Sequence, residues 1–227
     1  MAPRAKAAPA APARDPGRLR RRLLRLTVWA LCLAPLGKMA YDGATGGLGA
    51  NPVEAVLNRL GFWTITCLAA SLAATPANDL LGWSGPLRVR RLIGLFAFAY
   101  ACTHFAFYVV VDKFFDWRTI AGDLTKRPFI MVGFAALLVL LPLAVTSTNG
   151  WVRRLGHRRW KRLHRLVYAA AALAVIHFLW RVKADHRRPL LFAAAFGALL
   201  AARIPAWVRA AREPAPPRRG PRQAERV

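Results

Sequence analysis

The stretch LGHRRWKRLHRLVYAAAALAVIHFLWRVK, residues 155–183, decides how the rest of the chain is read. Its first third is a block of Arg, Lys and His, and its remainder from Leu166 to Trp180 is apolar except for His177. A basic block running into an apolar run is the pattern of a helix that leaves the membrane surface and enters lipid. An ionisable side chain inside such a run is costly to bury, so His177 is a candidate functional residue from the outset.

Moving outward from that stretch, the whole chain repeats its design. The 227 residues are 56% hydrophobic and yet carry a formal charge of +25. The two properties are segregated along the sequence, with charges in short blocks and apolar residues in runs at 23–36, 55–74, 92–111, 129–145, 166–180 and 190–207. Six runs predict an all-α, polytopic membrane bundle of six transmembrane helices, since only helices and closed barrels satisfy every backbone amide in lipid. Several runs fall short of the roughly 20 apolar residues that cross a hydrocarbon core and must borrow flanking residues. Pro76, Pro86, Pro128 and Pro189 are expected at the junctions.

Residues 1–22, MAPRAKAAPAAPARDPGRLRRR, are too poor in large apolar groups to offset ordering entropy, and read as a disordered basic tail. The run after it lacks a convincing small-residue cleavage site, so it is expected to be a retained first span. Residues 23–207 then form the membrane domain and 208–227 a second basic tail. Twenty-five Lys and Arg residues fall on the side of the two termini and ten on the other, which places both termini in the cytoplasm. The basic residues abut the apolar runs without any nucleic-acid-binding pattern, so their expected partner is the lipid bilayer and not nucleic acid. Cys32, Cys67 and Cys102 lie in three different runs and read as packing residues.

Of the five histidines only His104 and His177 lie deep within runs, the third and the fifth. They stand roughly 18 and 16 Å from the cytoplasmic ends of those runs, at nearly one level on helices of the same direction. Two neutral imidazoles facing each other at equal depth suit six-coordinate haem b, which has no open position and is confined to electron transfer. Phe105, Phe107, Phe178 and Trp180, with Ala99, Ala101, Ala172 and Ala174, are expected to wall the macrocycle. His164, at the mouth of the fifth run, could ligate a second haem nearer the cytoplasm. On an ideal helix it points about 140° away from His177, so a shared face needs a bulge or local unwinding there.

Beyond these residue-level readings, GGLGANP (46–52), ATP (74–76), RVRRLIGL with CTH (88–104), LTKRPF (124–129), LAVTST (143–148) and the opening stretch resemble the MsrQ (YedZ) family. These are haem-binding membrane subunits of the bacterial periplasmic protein-methionine-sulfoxide reductase system, and the likeness covers about residues 20–205. It implies a ferric-reductase-like transmembrane domain in which the third and fifth helices of relatives each carry two histidines and hold two haems. Here the third helix keeps only His104, with Arg90 and Arg91 where the other would stand, so one haem is expected and a second is open. The resemblance further implies FMN, electrons from the quinone pool or a cytoplasmic flavin reductase, and delivery to a periplasmic molybdopterin reductase subunit, MsrP. Nothing in the residues marks a flavin site, and GGLG at 46–49 reads as a turn. A transmembrane ferric reductase is the alternative. It would need a separate flavin and nicotinamide reductase, because the Pro- and Arg-rich C-terminal stretch cannot fold into one. A colourless transporter or scaffold is a third reading.

Overall fold

The computed structural model describes residues 16–204, and every element in them is helical. In chain order these are α1 (Pro16–Ala44), α2 (Pro52–Leu81), α3 (Gly85–Phe107), α4 (Trp117–Lys126), α5 (Pro128–Val145), α6 (Asn149–Leu163), α7 (Leu166–Arg181) and α8 (Arg187–Ala201). Residues 1–15 and 205–227, which include most of both expected tails, lie outside the described residues. The helix α1 opens at Pro16, so the arginines at 18–22 belong to the helix.

Among the described residues four helices are long and apolar enough to cross a membrane, or five if α6 and α7, bent by 43° where they meet, count as one span. The described part of α8 has 15 residues and rises about 22 Å, less than the ~30 Å of a hydrocarbon core. Pro76 does not end a helix as expected. It lies inside α2, which runs five residues further to a Gly82 cap in the left-handed region (φ 65°). Pro86 and Pro128 do open α3 and α5, where a missing amide costs nothing. The turn at 46–49 also forms, with Gly46 and Gly49 at φ 77° and 82°.

Alternating helix direction creates two ends. The termini end gathers the start of α1, the α2–α3 turn, α6 and the tail of α8; the far end gathers the α1–α2 turn, α4 and the α7–α8 turn. The bundle is built from two helix hairpins, α2 with α3 and α5 with α7, packed face to face, while α1 lies against α3 and α8 against α2 and α7. Its core is Leu60, Leu68 and Leu72 of α2, Ala97 and Tyr100 of α3, and Ala170 and Ala171 of α7. Large apolar side chains such as Leu23, Leu26, Leu31, Leu138 and Leu141 are exposed, as a lipid-facing surface requires. The buried Tyr100 hydroxyl donates to the Cys32 carbonyl at 2.6 Å, and the Trp29 ring meets Phe96 edge-on at 4.8 Å.

Beyond His104, α3 passes into a π turn at Tyr108–Asp112, and then Phe114 and Phe115 take φ of 47° and 61°. This strained reversal swings the chain into α4. Asp116 caps α4 by accepting from the Thr119 hydroxyl and two backbone amides, and the Thr119 hydroxyl chiefly holds its carboxyl below the usual value. That cap is complete above the ordinary carboxylate pKa and is lost as pH falls through the depressed one. We expect Tyr100→Phe to loosen α1 from α3 by about 1 kcal/mol. The check is thermal unfolding of the purified protein in detergent, where an unchanged midpoint would count against this contact.

Candidate functional site

Helical geometry brings one face of α3 and one of α7 together. Ala101, His104, Phe105 and Tyr108 share a stripe on α3, and Ala174, His177, Phe178 and Arg181 share the corresponding stripe on α7. The two imidazole rings face each other with centroids 6.3 Å apart and planes at 83°. With metal–nitrogen bonds of about 2 Å, two imidazoles on opposite sides of one metal have ring centres about 6 Å apart. The spacing leaves room for a metal between the two rings.

Orientation comes from the neighbouring helix of each hairpin. His104 Nδ1 lies 3.0 Å from the Leu57 carbonyl of α2, and His177 Nδ1 lies 2.6 Å from the Phe129 carbonyl of α5. A carbonyl can only accept, so each Nδ1 carries the proton and donates it. Each Nε2 is therefore left with its lone pair, which is the form that ligates a metal. One turn further along, Gly61 and Gly133 make room for the rings. A Cβ at Gly133 would come within 2.6 Å of His177 Nδ1, whereas one at Gly61 would sit 3.5 Å from His104 Cε1 in ordinary contact.

Around the pair lies a largely apolar cavity of about 260 Å³, walled by Phe62, Ile65, Phe105, Phe134, Leu137 and Phe178. Arg127 and Arg181 reach its far-end mouth. Arg181 pairs with Glu54 at 3.2 Å, and Arg127 pairs with the buried Asp123 at 3.1 Å. Asp123 also accepts from the Tyr108 hydroxyl at 2.9 Å and faces Lys113, which ties α4 to the end of α3. The cavity thus offers a flat apolar slot, two nitrogen ligands and two cations at one edge. Haem, an apolar macrocycle with iron at its centre and two carboxylates on one side, fits that donor set.

The structure brings together His104 and His177 of the expected site residues, and does not bring His164 to them. His164 caps α6, its Nε2 is 3.1 Å from the Thr146 hydroxyl, and its ring stacks on Trp160 at 4.0 Å. The break between α6 and α7 falls at this residue, so the unwinding that a shared face required is present. It turns His164 towards α5 and the Arg90 and Arg91 charges. Among the expected walls, Ala101, Phe105, Ala174 and Phe178 line the cavity, while Phe107, Trp180, Ala99 and Ala172 do not. The cavity face is centred between each histidine and the phenylalanine after it, and those four residues lie to the other side.

Sequence reading missed Leu57, Gly61, Phe129 and Gly133. A signal for them exists as an internal repeat. GF occurs at 61–62 and again at 133–134, and A-x-x-H-F at 101–105 and again at 174–178. Each copy spans one hairpin, so the histidine, its acceptor and its glycine recur as a set.

Comparison with known proteins follows the same lines. A family model described as the ferric reductase like transmembrane component matches residues 60–175. Protein-methionine-sulfoxide reductase heme-binding subunit MsrQ of Rhodospirillum rubrum is 55% identical over 84% of this chain and 91% of its own. The chain belongs to the MsrQ family. MsrQ proteins of Caulobacter vibrioides and Herminiimonas arsenicoxydans are 47% and 45% identical over 83% and 80% of this chain, covering 90% and 84% of theirs. No solved structure matches.

For this MsrQ-family chain, Gly133→Ala is expected to push the His177 ring out of line and lower haem content roughly tenfold, as loss of an orienting partner does at metal sites. Gly61→Ala is expected to leave it nearly unchanged. The ratio of haem absorbance to protein absorbance in the purified variants checks both, and equal ratios would refute the asymmetry.

Proposed function

We propose that the chain is the haem-binding membrane subunit of a methionine sulfoxide reductase system and carries electrons through the bilayer to a catalytic subunit on the far side. The observation that carries this reading is the facing imidazole pair, with both Nδ1 atoms tied to backbone carbonyls and both Nε2 atoms free. The family name given to relatives over most of their length agrees with it.

In this reading His104 and His177 would hold the iron of haem b, and Arg127 and Arg181 would meet its carboxylates. Bound there, haem supplies a one-electron couple. The chain's own residues do the rest. Leu57 and Phe129 fix the imidazole tautomers, Gly133 leaves the His177 ring unhindered, and the phenylalanines exclude water. Two histidine ligands would leave the iron no open position for substrate, which favours an electron carrier over a reductase acting directly on ferric chelates.

Both termini face the cytoplasm of a bacterial inner membrane in this proposal, because twenty-five of the basic residues fall on the termini side. The polypeptide then crosses six times, with α8 as the last span and residues 23–207 as the membrane domain. The histidine pair lies in the last turns of α3 and α7, near the periplasmic face, which shortens the final step to a periplasmic molybdopterin subunit of the MsrP kind. Electrons enter from the quinone pool or a flavin reductase at the termini end, where FMN also belongs in this scheme. His164 stands there as a candidate ligand for a second haem.

Purified His104→Ala and His177→Ala variants are expected to lose the reduced b-type absorption band that the parent protein shows. Full haem content in either variant would refute the pairing, and a colourless parent protein would refute the proposal as a whole.

A further inference from the structure

Asp123 of α4 is a buried carboxylate at the far-end mouth of the cavity, and its two oxygens serve different hairpins. Oδ2 accepts from the Tyr108 hydroxyl at 2.9 Å and lies 3.4 Å from Lys113 Nζ, both on the chain that continues α3. Oδ1 lies 3.1 Å from Nε of Arg127, the residue that leads into α5. Tyr108 stands one turn beyond His104, and Arg127 two residues ahead of Phe129, whose carbonyl orients His177. One side chain therefore bridges the hairpin that carries His104 and the hairpin that carries His177.

A carboxylate is costly to bury, and three donors converge on this one to satisfy it. The chain also accepts backbone strain to bring it there. Phe114 and Phe115 take φ of 47° and 61°, which bulky side chains adopt only where their surroundings hold them, and the reversal they make delivers α4 with Asp123. The two cations at the cavity mouth are held in different ways. The Arg181 side chain is 29% exposed and its partner Glu54 is open to water, so packing keeps it in place. The Arg127 side chain is 54% exposed and its partner is buried, so the ion pair keeps it in place. Untethered, a side chain so long and so exposed carries its charge out into water.

We infer that Asp123 is a positioning residue, which fixes Arg127 at the cavity mouth and through it sets how readily the site takes an electron. The inference rests on the haem assignment made above. A cation held beside a cavity of low dielectric stabilises the electron-rich form of a group bound there, so an Arg127 released to water makes reduction harder. The bare charge of Asp123 acts in the opposite sense, since removal of an anion makes reduction easier. The sign of the effect therefore separates positioning from simple electrostatics.

The test is a redox titration of the full-length protein in nanodiscs, read from the b-type absorption band, with circular dichroism to confirm helical content. It compares the parent, Asp123→Asn, Arg127→Gln and the double variant. Asp123→Asn is expected to lower the ratio of reduced to oxidised haem at a fixed potential roughly tenfold, about 59 mV for a one-electron couple. Arg127→Gln is expected to lower it by a similar factor, and Asp123→Asn added to Arg127→Gln to lower it no further. A ratio that rises or stays unchanged in Asp123→Asn, or that falls equally in both backgrounds, would overturn the inference. Should Asp123→Asn fail to fold or to hold haem, Tyr108→Phe takes its place, because it withdraws the donor that orients the carboxylate and leaves every charge present. A fall of about twofold is then expected in the parent background and none beside Arg127→Gln, with the same contrary results decisive. A parent protein without the b-type band would overturn this inference together with the haem assignment, whereas equal shifts in coloured proteins would overturn this inference alone.

Discussion

Two hydrogen bonds from histidine to backbone govern this fold's chemistry. In lipid, a helical carbonyl is normally committed to the amide one turn on, and an imidazole has no water to satisfy it. Donating His104 Nδ1–H to Leu57 and His177 Nδ1–H to Phe129 solves both rings' problem with atoms the helices already expose. It also settles which nitrogen keeps a lone pair. Everything else near the cavity serves that choice: glycines where the rings must lie close, phenylalanines where water must be kept out, and arginines only at the rim.

The charge pattern is equally divided. At the far end cations are matched by Asp42, Glu54, Asp112 and Asp123, and Asp123 in particular binds α4, α3 and Arg127 into one assembly. Among the described residues at the termini end, Arg90, Arg91 and Arg203 donate to neutral partners instead. Ion pairing between described residues is therefore concentrated at the end nearer the imidazole pair.

Much of this was legible in the sequence, because depth along a helix follows from counting residues. The runs around His104 and His177 fixed their level, and the structure sets the two rings opposite each other. Rotation was less accessible. Phe107 and Trp180 stand only three residues beyond the histidines, yet they fall outside the cavity, and only the partner helix decides which way a stripe faces. The acceptors were invisible for a plainer reason: Leu57 and Phe129 act through carbonyls, which every residue has. Pro76 misled because a proline inside a long helix can be accommodated where neighbours satisfy the freed carbonyl. Residue counts also could not show that the chain breaks at His164, since nothing in RRWKRLHRL departs from a helical pattern.

The repeated GF and A-x-x-H-F segments carry one more implication. Each hairpin holds a histidine already oriented by its own second helix, so neither half needs the other to shape its ligand. An iron porphyrin between them would then act as a rivet joining two prefabricated plates, and its loss would separate the plates without erasing the form of either.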